Sequence, residues 1–272
     1  MEMGLARLLG EVRVVGEFVA FAGDALVNGS SVSAQGEKAV LLIPGFMAGD
    51  MTLYPIAGRL RASGYQTFFA GIWVNADCPI STLGRLERSL RVAARATGAK
   101  VAVVGHSLGG IYARELARRF PDLVERIVML GSPIRHPVEN SNRPIRLLAS
   151  AVSLAHRRCI TSLGARCEIC GFDVPRTPPP VPETIIYSKS DGVVRWEACI
   201  ESGPEIEAVE VSSSHCGMAM SLEVWKIITS RLDGSAHSAE RIHKPAAHPV
   251  GVRRRIQRLM PSYLKLVKPS AA

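Results

Sequence analysis

The sequence predicts an α/β fold, a mainly parallel sheet of about six strands with helices on both faces. Three observations lead there. Short apolar, β-branched runs alternate with longer stretches of helical periodicity. A chain of 272 residues that is 47% apolar can bury one sheet between two helical layers. One apolar run also enters a Gly-x-Ser-x-Gly turn that leads directly into a helical pattern. No internal repeat or extended low-complexity tract points instead to a solenoid or a disordered chain.

The runs Lys38 to Ile43, Tyr65 to Phe69, Lys100 to Val104, Arg126 to Leu130, Thr184 to Tyr187 and Ile206 to Val211 read as strands. Helical periodicity occupies Tyr54 to Ala62, Thr82 to Thr97, Leu108 to Arg119 and Leu222 to Leu232, with Gly64 and Gly98 placed as helix-ending glycines. In such sheets ligands bind at the carboxyl ends of the strands. The alternation breaks once, over 134–182, where an amphipathic stretch from Arg143 to Arg157 and a proline-rich run from Pro175 to Pro182 intervene. That interval reads equally as a lid over the sheet edge or as a crossover helix with a long linker.

The alternating strands and helices fall within 37–233, flanked by an N-terminal amphipathic helix and linker over 1–36 and a basic tail over 234–272. Leu5, Leu8, Leu9, Val12, Val15 and Val19 recur at spacings of three and four, interrupted by Glu11, Arg13 and Glu17. That pattern is neither a secretory signal nor a spanning segment, so a cytoplasmic location is expected. Most of the formal charge of +9 sits in the tail, where Arg241 to Lys268 hold eight basic and no acidic residues. Arg253, Arg254, Arg255 and Arg258 interleave with apolar residues, which suits either a solvated terminus or peripheral contact with an anionic membrane. A single tyrosine in the tail is too little for a nucleic-acid stacking platform, so no specific nucleic acid is expected. Six scattered cysteines do not make a disulfide scaffold. Cys159, Cys167 and Cys170 with His156 imitate a zinc site, but only one Cys-x-x-Cys pair is present, and buried thiols or a local disulfide are the expectation.

The chemistry centres on Gly105-His106-Ser107-Leu108-Gly109. A strand, this turn and a helix in succession make a nucleophile elbow, in which the serine hydroxyl is exposed and the glycines avoid collision with strand and helix. The helix start also offers amide hydrogens to an oxyanion, the first from Leu108. A second donor is expected from the loop after the first strand, in Pro44-Gly45-Phe46-Met47-Ala48-Gly49. Phe46 is the choice there, with Met47 the neighbour that could be confused with it.

A serine needs a base, and the base a carboxylate to orient it. Asp191 and His215 each follow a strand, in the chain order serine, acid, histidine. Asp173 is the rival acid. Among the histidines, His106 adjoins the nucleophile and is expected to point away from it, His136 and His156 fall in the insertion, and His237, His243 and His248 in the tail. The rate is then expected to rise with pH through about 6 to 7 as the base becomes neutral, and a thiol reagent at Cys216 to obstruct the site.

With the elbow, the Pro44 to Phe46 loop, Leu130 to Pro133, Tyr187 to Trp196 and Ser214 to His215 in place, the chain resembles the α/β-hydrolase superfamily. Within it the likeness, over roughly Val40 to Leu232, is to bacterial lipase- and esterase-like serine hydrolases. It implies an α/β-hydrolase fold, cleavage of carboxylic esters through an acyl-enzyme, and no cofactor or metal. Phe46, Met47 and Ile72 to Val74 suggest an apolar, lipid-like ester as substrate. The same residues also serve acyl transfer or thioester hydrolysis, and a membrane-associated protein with a vestigial site is the reading from another class. A carboxylate at the elbow, as dehalogenases and epoxide hydrolases require, is lacking.

Overall fold

The computed structural model describes residues 38–156 and 177–234. All of them belong to the compact unit Met1–Ala236. The N-terminal helical pattern, Cys159, Cys167, Cys170, Asp173 and the basic tail lie outside the described residues.

Six parallel strands form one sheet: β1 Ala39–Ile43, β2 Gln66–Phe69, β3 Val101–His106, β4 Val124–Leu130, β5 Glu183–Tyr187 and β6 Ile206–Glu210. Their order across the sheet is β2-β1-β3-β4-β5-β6. The inner strands β1, β3 and β5 are buried along their whole length, as expected where helices cover both faces. The edge strands β2 and β6 carry intermediate exposure.

The helices are α1 Tyr54–Ala62, α2 Pro79–Thr97, α3 Leu108–Arg119, α4 Arg143–His156 and α5 Leu222–Leu232. Pairing by twos in the strands sends Ala39, Leu41 and Ile43 into the layer with α2 and α3, and Val40 and Leu42 into the layer with α1 and α5. Helix α2 begins three residues before the periodicity suggested, because Pro79 occupies its first turn, where a missing amide hydrogen costs nothing. It ends at Gly98 in the left-handed conformation, φ 66°. Strand boundaries shift by one to two residues from those read off the sequence, since pairing with neighbours, not side-chain pattern, sets where a ladder stops.

One buried polar group ties α3 to the sheet. The guanidinium of Arg114 on α3, 2% exposed, donates to Glu183 at the start of β5 at 3.2 Å and also to Glu201. Burial pushes the Glu183 carboxyl up to about 7, against the pull of Arg114.

Candidate active site

The strand order reverses between β1 and β3, so their following loops diverge and leave a crevice at the carboxyl edge of the sheet. Ser107 stands in that crevice, between the end of β3 and the start of α3. Its backbone lies at φ 53° and ψ −119°, a region costly for a residue with a Cβ, by about 1–3 kcal/mol. The surroundings hold it there. Its amide donates to the carbonyl of Leu130 at 2.8 Å, and its own carbonyl accepts from Gly110 at 3.0 Å. The flanking glycines are steric requirements: a Cβ on Gly105 would lie 2.3 Å from the Gly109 carbonyl oxygen, and one on Gly109 2.2 Å from that of Ile43.

Asp191 and His215 arrive from the loops after β5 and β6. The Nδ1–H of His215 donates to Asp191 Oδ2 at 2.6 Å, and both side chains are at most 5% exposed. The other carboxylate oxygen accepts from the amides of Val193, 2.8 Å, and Val194, 2.7 Å. These two bonds aim the carboxylate at the ring, and the ring's bond leaves Nε2 as its acceptor nitrogen. The pair packs over Gly131, whose absent side chain makes the space: a Cβ there would sit 3.1 Å from both Asp191 Oδ2 and His215 Nδ1.

The loop after β1 is bound to the loop Gly71 to Asn75. Met47 donates its amide to the Asn75 carbonyl at 3.0 Å, Asn75 to that of Ala48 at 2.8 Å, and the Asn75 side chain to that of Pro44 at 2.7 Å. Asp50 Oδ2 accepts from the amides of Gly71 and Ile72 at 2.8 and 3.0 Å. The Met47 amide is thereby committed, whereas among the described residues no acceptor is assigned to the amides of Phe46 or Leu108. Gly45 lets this loop approach the elbow, a Cβ there falling 3.2 Å from that of Ser107.

Ser107, Leu108, Phe46 and His215 all line one cavity of about 170 Å³. Its walls are mainly apolar, and α4 closes one side with Ile145, Arg146 and Ala149. Of the apolar residues expected to receive a substrate chain, Phe46 lines the cavity but Met47 and Ile72 to Val74 do not. Trp73 is 87% exposed and Ile72 is buried in the sheet layer, because the hydrogen bonds between the two loops turn these side chains away from the serine. Ile111, Val138 and Val193 take their place. Cys216, exposed beside His215, lines the cavity too.

His106 is the site residue that sequence reasoning passed over. Its ring is buried and lines the same cavity, and its Nε2–H donates to the carbonyl of His215 at 2.9 Å. The two imidazoles lie 4.9 Å apart. Burial, and next the neighbouring His215, push the His106 ring down to about 4, so it is neutral above pH 5. A histidine adjoining the serine was the available signal, but the bond spans 109 positions and only folding brings the partners together. His136 lies instead near Glu139, 3.7 Å away, outside the cavity lining.

Comparison with known proteins bears on the fold. A sequence profile described as the alpha/beta hydrolase fold matches residues 84–151, which include the elbow. Esterase PIR7B of Oryza sativa subsp. japonica is 28% identical over 109 residues, covering 37% of this chain and 41% of the relative. The chain thus spans about two fifths of that relative's length. Among solved structures, Bacillus licheniformis lipase BlEst2 in its mature form superposes with a TM-score of 0.54 at 15% identity, over 74% of this chain and 94% of its own. Carboxylesterase CesB (YbfK) of Bacillus subtilis does so at 0.51 and 13%, over 86% and 99%. These likenesses and the six-stranded parallel sheet show that the chain has the α/β-hydrolase fold.

Proposed function

We propose that this domain hydrolyses carboxylic esters through an acyl-enzyme, with Ser107 as nucleophile, His215 as general base and Asp191 as the residue that orients the histidine. The single observation that carries the reading is the buried Asp191–His215 hydrogen bond of 2.6 Å, formed at the cavity that Ser107 also lines. The esterase name of the rice relative supports the same chemistry.

In this mechanism Ser107 Oγ attacks the ester carbonyl carbon while His215 Nε2 takes the hydroxyl proton. The carbonyl π electrons move to oxygen, where the amides of Phe46 and Leu108 donate to the oxyanion. Collapse expels the alcohol, which receives the proton from His215. Water then repeats the sequence on the acyl-serine and releases the acid. Asp191 stays ionised, holding the Nδ1–H tautomer and favouring the imidazolium that forms transiently.

The test is fluorophosphonate labelling of the full chain with the modified peptide identified by mass spectrometry, alongside turnover of p-nitrophenyl esters. The label is expected on Ser107, and Ser107→Ala is expected to lower turnover by about 10³-fold or more. A label elsewhere, or turnover that survives the substitution, refutes the assignment.

A further inference from the structure

We propose that the ester taken by this site carries an anionic group, received by Arg146, beyond an apolar segment of about six carbons. The inference presupposes the ester hydrolysis proposed above and names its substrate class. Two independent features of the cavity lead to it.

The first is the composition of the wall. Among the described residues lining the cavity, Arg146 is the only one with a permanent charge. Among the described residues, no carboxylate lies within ion-pair distance of it. Ile111, Val138, Ile145, Ala149 and Val193 supply apolar surface to the same cavity. A volume of about 170 Å³ resembles the dry cavity of roughly 150 Å³ that admits benzene, a six-carbon group.

The second is that the start of the helix bearing Arg146 is held against the acid loop. The side chain of Asn142 caps α4, its Oδ1 accepting from the Ile145 amide at 3.0 Å. Its Nδ2 donates to the carbonyl of Gly192 at 3.0 Å, and its backbone amide to that of Val193 at 2.7 Å. The Arg195 amide donates to the Asn140 carbonyl at 2.9 Å, and Ser141 bridges Val194. Arg146 stands one turn further along, its amide bonded to the Asn142 carbonyl at 3.1 Å. The start of the helix is therefore tied to Gly192, Val193 and Val194, the segment that anchors Asp191. From that anchored helix Arg146 lines the cavity, and its guanidinium offers a planar pair of donors to carboxylate or phosphate.

The experiment compares kcat/KM of the full chain for p-nitrophenyl esters of straight-chain C6 to C10 acids with the matched esters bearing a terminal carboxylate or a terminal phosphate. Wild type is expected to prefer an anionic ester by about three- to tenfold, a size suited to a partly solvated ion pair, with the gain mainly in KM and shrinking in 0.5 M salt. The carboxylate and phosphate arms tell which anion fits. Arg146→Gln is expected to bring the ratio close to one and Arg146→Lys to keep part of it. Arg143→Gln removes a charge from the same helix away from the cavity and is expected to leave the ratio as in wild type. An equal ratio in wild type and Arg146→Gln, or an equal loss in Arg143→Gln, overturns the assignment to Arg146. Failure of wild type to turn over any ester, neutral or anionic, instead overturns the ester reading and this inference with it.

Discussion

Replacing Gly131 by alanine tests whether the Asp191–His215 pair is what makes the site work. The new Cβ would lie 3.1 Å from Asp191 Oδ2, 3.1 Å from His215 Nδ1 and 3.2 Å from His215 Cε1, so carboxylate and ring must separate by a few tenths of an ångström. The residue also sits at φ 56°, where a side chain costs about 1–3 kcal/mol. For a domain of this size that strain lowers Tm by roughly 2–4 °C per kcal/mol. Weakening a hydrogen bond to an ionised group, worth about 1.5–3 kcal/mol, lowers kcat by about ten- to a hundredfold. Gly98→Ala is the control. Gly98 lies at φ 66° but its Cβ would meet nothing within 4 Å, so the backbone penalty comes without the intrusion. Thermal melts and p-nitrophenyl ester kinetics on both variants are expected to show a Tm loss in each and a kcat loss only in Gly131→Ala. An unchanged kcat in Gly131→Ala, or an equal loss in Gly98→Ala, would refute the reasoning.

Asp191→Asn removes the anion but not the bulk, and a fall in kcat of roughly 10²- to 10⁴-fold is expected, with Tm little changed; a near wild-type rate means the acid is elsewhere. Arg114→Met strands Glu183 in the core, so denaturant unfolding is expected to show a loss of about 3–5 kcal/mol, part of it recovered in Arg114→Met with Glu183→Gln; stability within 1 kcal/mol of wild type contradicts this. His106 has a folded pKa depressed from 6.5 to about 4, so its neutral form stabilises the protein above pH 6.5 and that stability is lost as pH falls towards 4. The stability of wild type minus that of His106→Asn is therefore expected to drop by about 3 kcal/mol between pH 7 and pH 4. Glu183, shifted oppositely, acts in both proteins and cancels from the difference. A difference independent of pH would show that His106 is not neutral by burial.

Much was legible before folding because it is written locally. The elbow at Ser107 needs a strand, two glycines and a helix within a dozen residues, and those demands act on neighbours in the chain. Helices α1, α3 and α5 end where their periodicity does, for the same reason. A weaker rule singles out Asp191 and His215, that each directly follows a strand, which locates a residue along the sheet edge but says nothing of distance. Tertiary structure decided what depends on residues far apart in the chain. It committed the Met47 amide to Asn75, brought His106 to the carbonyl of His215, and made Gly131 the floor beneath the acid and the ring. It also exchanged the expected apolar wall of Met47 and Ile72 to Val74 for Ile111, Val138 and Val193, and set Arg146 among them. Backbone propensity and hydrophobic period act over three or four residues, whereas which side chains share a cavity depends on strand order and on hydrogen bonds between loops, and those exist only once the sheet has formed.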